Sequence, residues 1–436
     1  MSILIKNIEE IYTVDEEINT ISNGYIIIEN GLIKKIGKME KFNSKTKYDF
    51  DKIINAEGQV AMPGLINTHT HSSMTLLRGY ADDLPLKEWL ENKIWPFESK
   101  LDSGSGKDYF YWGSKLAILE MINTGTTTFC DMYFGMDEVG KAVTETGIRA
   151  VLSEGLIEEN DGEKGLQNSI KFAKNWNKKA EGRITTMLSP HSPYTCSKEY
   201  IQKIVKKAHE FEIPLHTHLA ETENEVKITK EKYNKTPTQF LNEINFFSGQ
   251  VLAAHGIYLN DYDLDIIAEN DVGISHNPLS NMKLGSGIAN ISKMIDKEIK
   301  VGLGTDGVAS NNNLDLFEEA KIAGYLQKVD KKDPSLIDTN DLLRMLTVNG
   351  AKILGIDNLG SLKTDYIADL ILLDINKSSY FYPHHNNLSN IFYSSNSNSV
   401  NTVIINGEVV LENGELLTLD QSKVFKEVEK RVDELV

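Results

Sequence analysis

Cysteine is nearly absent from this chain, with two residues, Cys130 and Cys196, in 436. They lie far apart and in no Cys-x-x-Cys pair, which excludes a disulfide framework and points to a reducing compartment. The chain also lacks the His-x-Glu and Pro-Cys-x-x-Cys signatures of the cysteine-ligated zinc enzymes that act on nucleobases. No apolar run approaches the ~20 residues that cross a bilayer. The N-terminus, Met1-Ser-Ile-Leu-Ile-Lys, has no basic stretch followed by an apolar core. A cytoplasmic location is expected. Positive charge is in deficit as well: 46 Lys and Arg against 63 Asp and Glu leave a net −17. That balance argues against a nucleic-acid surface or an anionic membrane as partner.

What remains is an ordinary globular composition, 40% apolar and 25% charged. The length suits one large α/β domain of ~250–300 residues with a smaller satellite. Both ends read as β-structure. Asn30-Gly31 and Asn406-Gly407 each sit between β-branched runs, the strongest short hairpin signal. Between them the chain alternates. Strand-like runs end at Asn67, Cys130, Ser153, Ser189, His218, Ala254, Ser275 and Thr305. Helix-like stretches separate them, among them 108–122, 198–210 and 314–328. This pattern predicts a (β/α)8 TIM-like barrel at 59–363, with a small β-sandwich built from both termini, 1–58 and 364–436. A doubly wound sheet is the alternative.

Chemistry-bearing residues fall at the ends of these runs. His69 and His71 follow the first strand, and their spacing of two places both imidazoles on one face. His191 follows the fourth strand, His218 and Glu221 the fifth, His255 the sixth, His276 the seventh and Asp306 the eighth. In a parallel barrel these ends form one rim, where catalytic groups gather. Imidazole and carboxylate ligands with a position left for water describe a hydrolytic metal centre. Scattered surface or core histidines would not share matching strand ends.

The motifs Met62-Pro-Gly-Leu-Ile-Asn-Thr-His69-Thr-His71, Leu215-His-Thr-His218-Leu-Ala-Glu221-Thr and Gly304-Thr-Asp306-Gly-Val-Ala-Ser-Asn resemble those of the amidohydrolase superfamily, across essentially the whole chain. The resemblance implies a metal held by His69, His71, His218 and Asp306. The run Ile184–Pro190 has no Lys of the kind that bridges two metals in binuclear members, which implies one divalent ion per subunit. Zinc (Zn2+) suits the set best, and iron (Fe2+) or manganese (Mn2+) would use the same ligands. Asp306 would accept the proton of the attacking water, Glu221 would act as general acid and base, and His255 would orient the attacking hydroxide. Glu223 and Glu225 read as a solvated face, and His209, His384 and His385 as structural or solvent-facing. His276 fits substrate contact and loop bracing equally. One departure is Asp365, where the family has Gly.

Within the superfamily, the segment from Ser72-Ser-Met-Thr-Leu-Leu-Arg78 to Trp89-Leu and then Ile94-Trp-Pro-Phe-Glu98 is similar to the 5-methylthioadenosine/S-adenosylhomocysteine deaminases. That likeness implies Trp89 packing on a nucleoside, Glu98 receiving the ribose hydroxyls, and further contacts from Arg149 and His191. Taken alone, Trp89 also fits core packing and Glu98 a surface turn. The stretch Glu154 to Lys164 is acidic and lacks the Arg some relatives carry, so an anionic tail is disfavoured there and Lys164 would substitute imperfectly. The activity implied is deamination of an adenine nucleoside. A guanine- or triazine-type aminohydrolase, a chlorohydrolase and an inactive scaffold are the alternatives. The partner expected is a small-molecule nucleoside, with the oligomeric state, a homo-oligomer included, left open.

Overall fold

The computed structural model describes residues 1–15, 17–42, 49–84, 86–101 and 106–435. Five strands open the chain: β1 (Ser2–Tyr12), β2 (Thr20–Glu29), β3 (Leu32–Lys38), β4 (Lys52–Asn55) and β5 (Gln59–Pro63). Nine follow in the middle: β6 (Leu65–Thr70), β7 (Thr126–Tyr133), β8 (Arg149–Leu156), β9 (Ile184–Thr186), β10 (Ser189–Pro190), β11 (Leu215–Leu219), β12 (Val251–His255), β13 (Gly273–His276) and β14 (Val301–Leu303). Four close it: β15 (Leu370–Asp374), β16 (Val400–Ile405), β17 (Glu408–Glu412) and β18 (Glu415–Leu416).

The ends of the chain join in one nine-stranded sheet, ordered β18-β17-β16-β15-β5-β1-β2-β3 with β4 on β1. Its seam is the antiparallel pair β15–β5. The two Asn-Gly dipeptides make the hairpins β2–β3 and β16–β17. Asn30 and Gly31 have φ of 51° and 82°, and Asn406 and Gly407 of 53° and 75°, which is what a type I′ turn demands of both central residues. One face of this sheet is isoleucine-rich, with Ile3, Ile5, Ile8, Ile11, Ile26 and Ile28 all fully buried. Asp365 takes φ 67° at the return to this sheet, a left-handed conformation that Asp tolerates better than most residues.

The middle strands run parallel and are buried throughout β6, β7, β11, β12 and β13, as expected where helices cover a sheet. They form a sheet of β10-β8-β7-β6, with β9 also on β8, and a second of β11-β12-β13-β14. The run expected to end at Ser189 is divided into β9 and β10. The sheets meet at a parallel bridge, Leu188 to Leu215. At the other margin the Asp306 amide donates to the His69 carbonyl at 3.0 Å, and Thr305 N to Asn67 Oδ1 at 3.1 Å. Helices such as Gly106–Asn123, Lys198–Phe211 and Leu316–Lys331 alternate with the strands. Among the described residues no helix is long and apolar enough to cross a membrane.

Candidate active site

The ends of β6, β11, β12 and β14 deliver groups to a common point. β6 presents His69, and His71 follows one residue past its end; their ring centroids are 4.9 Å apart. Asp306, three residues beyond β14, places Oδ1 3.1 Å from His71 Nε2 and 3.5 Å from His69 Nε2. His218 on β11 and His255 at the end of β12 have ring centroids 4.9 and 5.8 Å from that of His69. The ligand atoms of His69, His71 and Asp306 lie within 4.8 Å of one another, and so do those of His69, His218 and His255. His69 Nε2 is buried with no hydrogen-bond partner among the described residues. A buried nitrogen left unpaired is costly unless something binds it, so the donor set fits a metal ion.

The far nitrogen of each ring is held. His71 Nδ1–H donates to the Met132 carbonyl, and His218 Nδ1–H to the His191 carbonyl at 2.8 Å. A carbonyl only accepts, so in the neutral form of each ring the proton sits on Nδ1 and Nε2 is the nitrogen that can bind a metal. His255 Nδ1 meets Asn281 Oδ1 at 2.8 Å. His69 Nδ1 meets Nε2 of another buried imidazole, His216, at 3.0 Å. His216 Nδ1 in turn faces Cys130 Sγ at 3.8 Å. Asp306 Oδ2 accepts from Ser280 Oγ at 2.6 Å and Ser310 Oγ at 2.9 Å. His255 and Asp306 sit at φ 75° and 58°. Such conformations cost of order 1–3 kcal/mol each and cluster at functional sites.

Electrostatics follow from burial. It pushes His69 down to about 4 and His191 to about 3, keeping both rings neutral. Burial also opposes charge on His71, yet its hydrogen bond to Asp306 raises it to about 9. Asp306 is held well below the usual carboxylate range by His69 and His71, although burial acts the other way. Burial raises Glu221 above its ordinary value, the direction a proton-carrying carboxyl needs near neutrality. Its Oε2 lies 3.8 Å from His255 Nε2.

Above these groups opens a cleft of about 710 Å³, its mouth included. His71, His191, His218, Glu221, His255 and Asp306 line it, together with Trp89 and Glu98. Trp89 is buried, with its indole N–H unpartnered among the described residues. Glu98 accepts from the Tyr133 hydroxyl at 2.5 Å, and burial lifts it to about 7 against that hydrogen bond.

Other expectations are corrected. Arg149 is not at the site. It is the first residue of β8, at the opposite end of the strand, where Nε and Nη2 donate to Asp369 Oδ2 and Oδ1 at 2.9 and 3.1 Å. Glu225 is not solvated. Its carboxylate is buried and accepts from the backbone amides of Ala220 and Glu221 at 3.0 and 2.8 Å, fixing the turn that carries Glu221; Glu223 is exposed. His276 is buried but does not line the cleft. Lys164 lies exposed on helix Glu158–Trp176. Sequence reasoning missed His216 and Glu225. The signals were there: His216 stands two residues before His218, and Glu225 one helical turn after Glu221.

Residues 60–410 match the amidohydrolase family. A 5-methylthioadenosine/S-adenosylhomocysteine deaminase of Halothermothrix orenii is 53% identical over 430 residues, covering 99% of both chains. A 5'-deoxyadenosine deaminase of Methanococcoides burtonii is 47% identical over 437 residues, covering 100% of this chain and 98% of its own. Among solved structures, an adenosine deaminase of Xanthomonas campestris with bound zinc aligns at TM-score 0.94 and 28% identity, over 99% of this chain and 98% of the other. With its strand-end histidines and aspartate on one cleft and its relatives matched end to end, the chain belongs to the amidohydrolase family.

Proposed function

We propose that the protein is a metal-dependent hydrolase that deaminates adenine nucleosides, giving the inosine analogue and ammonia. The observation that carries this reading is the placement of Glu221 and His255 on one side of the His69–His71–Asp306 cluster, under a cleft whose wall holds Glu98. Relatives matched over their full length are named as deaminases of adenine nucleosides. His69, His71, His218 and Asp306 would hold one divalent ion, with zinc as the reading that the ligand types favour. Such an ion lowers the pKa of water from 15.7 towards ~7.

The chain's own groups do the rest. Asp306, braced by Ser280 and Ser310, takes the proton of the attacking water. Glu221, its carboxyl raised by burial, gives a proton to the ring nitrogen beside the carbon under attack. Water adds, and Glu221 then takes the proton of the added hydroxyl as the carbonyl forms and passes it to the amino group, so that the C–N bond breaks and ammonia leaves; the proton held by Asp306 returns to Glu221 and restores both carboxyls. His255, held by Asn281, orients the attacking oxygen. Trp89 packs on the base, His191 makes a further contact, and the Glu98 carboxylate receives the two ribose hydroxyls, as an acceptor of two donors can.

For the architecture, we take the two parallel sheets as halves of one (β/α)8 barrel over 59–363. The Leu188–Leu215 bridge and the hydrogen bond from Asp306 to His69 support closure at both margins. The terminal sheet, built from strands of 1–58 and 364–436 together with β5 (Gln59–Pro63) at the entry to the barrel, is read as the small β-domain. A cytoplasmic location fits a chain with two buried free thiols. Assaying ammonia release from 5-methylthioadenosine, adenosine and guanine, alongside metal content by mass spectrometry, tests the reading. Turnover of guanine but of no nucleoside would overturn it.

A further inference from the structure

We infer that the mouth of the cleft selects adenine nucleosides whose 5′ substituent is short and uncharged, and discriminates against those ending in a carboxylate. This rests on the nucleoside reading above. With the amino group of the base at the metal cluster, the ribose lies outward against Glu98 and its 5′ substituent reaches the mouth.

Six residues that line the cleft and are partly or largely exposed form that mouth: Leu90, Trp95, Phe134, Ile157, Tyr194 and Leu284. All are apolar or aromatic. Among the described residues no Lys or Arg lines the cleft, whereas Glu98, Glu221 and Asp306 do. More negative charge flanks the mouth. Glu154 precedes Gly155, which lines the cleft, and Glu158 follows Ile157. Both are fixed by backbone amides, Glu154 by Met136 N at 3.2 Å and Glu158 by Ser197 N at 2.6 Å. Of the cations beside lining residues, Lys283 next to Leu284 is engaged by Asp82 Oδ1 at 2.5 Å and Lys93 next to Ile94 is exposed; neither they nor the exposed Lys164 line the cleft.

A carboxylate brought to this mouth sheds water and finds no Lys or Arg among the described residues that line the cleft, while five acidic side chains lie in or beside it. A methyl or methylthio group instead removes apolar surface from water and sets its sulfur against Trp95, Phe134 and Tyr194, a favourable contact for a thioether.

The test is a kcat/KM panel on the metal-loaded enzyme: 5′-deoxyadenosine, 5-methylthioadenosine, S-adenosylhomocysteine, and the decarboxylated analogue of the last, which keeps the ammonium and the chain length. The first two should exceed S-adenosylhomocysteine by about 100-fold or more, a factor equal to about 2.7 kcal/mol. The decarboxylated analogue should recover most of that loss, which separates charge from bulk. Ile157→Arg should raise the ratio of S-adenosylhomocysteine to 5-methylthioadenosine turnover by at least about tenfold, as a cation restores a partner to the carboxylate. The ratio serves as its own control for folding. Rates within threefold for S-adenosylhomocysteine and 5-methylthioadenosine in the unmodified enzyme would overturn the inference, as would a decarboxylated analogue no better than its parent. Turnover of no nucleoside would overturn the deaminase reading itself, and this inference with it.

Discussion

The two ends of the parallel strands use the same kinds of residue to opposite purpose. At the C-terminal ends, His69 keeps a buried nitrogen without a hydrogen-bond partner among the described residues, and His255 and Asp306 adopt left-handed backbone. At the N-terminal ends, the buried charges are paired. Arg149 and Asp369 form a two-pronged ion pair, and Asp369 Oδ1 also accepts from the Asn406 amide at 2.6 Å. Gln250 Nε2 donates to the Ile353 carbonyl at 2.9 Å. A charge that is buried and fully paired ties the catalytic strands to the terminal sheet. A charge or imidazole that is buried and under-paired is available to bind and react. Burial alone does not tell a reader which end of a strand does chemistry; the pairing does.

The comparison is broken most severely at the upper end. Glu221→Gln keeps size and polarity but cannot relay a proton, and loss of a general acid or base typically costs roughly 100- to 10,000-fold. The expected outcome is normal metal content with ammonia release down by that factor. Glu223→Ala, on the exposed side of the same turn, should change neither. Near-normal turnover of Glu221→Gln would remove Glu221 from the mechanism.

At the lower end the loss should appear in stability. Arg149→Ala strands Asp369 as a buried charge without its ion-pair partner, and such changes cost about 3–5 kcal/mol. Thermal unfolding should shift markedly downward, while kcat/KM of the folded fraction at 25 °C stays within about twofold, since Arg149 is remote from the cleft. A selective loss of nucleoside affinity at unchanged melting temperature would restore Arg149 to the site.

Arg149 also marks where sequence stopped being legible. The strand-end histidines and Asp306 could be read because metal ligands follow apolar runs and period two fixes their face. The Asn-Gly hairpins could be read because their turns demand positive φ at both positions. Arg149 sits in a segment that looks like a substrate-contacting one, but β8 begins there, so its side chain belongs to the far end of the strand. Glu225 lies in a polar run, and its burial comes from two amides freed where Ala220 takes φ 51°, a tertiary event without local signature. The partial burial of Glu98 under Tyr133 likewise depends on β7 meeting a segment about thirty residues earlier.

Glu98 sharpens the comparison within the upper end, between groups that react and groups that hold. Glu98→Ala should weaken nucleosides by roughly 10- to 150-fold, the equivalent of about 1.5–3 kcal/mol for hydrogen bonds to a charged partner, and leave a 2′,3′-dideoxy nucleoside little changed. Because burial raises Glu98 to about 7, nucleoside KM should rise as the pH falls through that value and the carboxylate takes up a proton. The sign for stability is the reverse: a carboxyl raised above its unfolded value of 4.5 favours folding at low pH and loses that contribution as pH climbs towards 7. A KM that is flat between pH 6 and 8 would argue against Glu98 as the ribose acceptor.

The smallest expected effect tests whether under-pairing at the upper end is itself held in place. His69 offers Nε2 to the cluster only if its proton stays on Nδ1, and that proton has one acceptor, His216 Nε2 at 3.0 Å. Burial keeps His216 well below its ordinary value, hence neutral and able to accept. Its own Nδ1 then points to Cys130 Sγ, itself buried and with its thiol pushed up, a weak partner that does not compete for the proton. Loss of such an outer partner typically costs 10- to 100-fold in metal affinity, so His216→Phe, which fills the space without accepting, should weaken metal binding by about that factor. Competition with a chelator measures it directly. With cobalt substituted at saturating concentration, the visible spectrum should shift as the His69 ring loses its fixed orientation. His216→Gln, whose side-chain carbonyl can accept from Nδ1–H, should recover most of the affinity. Equal affinities for Phe and Gln would mean that His216 only fills volume, and that the His69 tautomer is set by the metal alone.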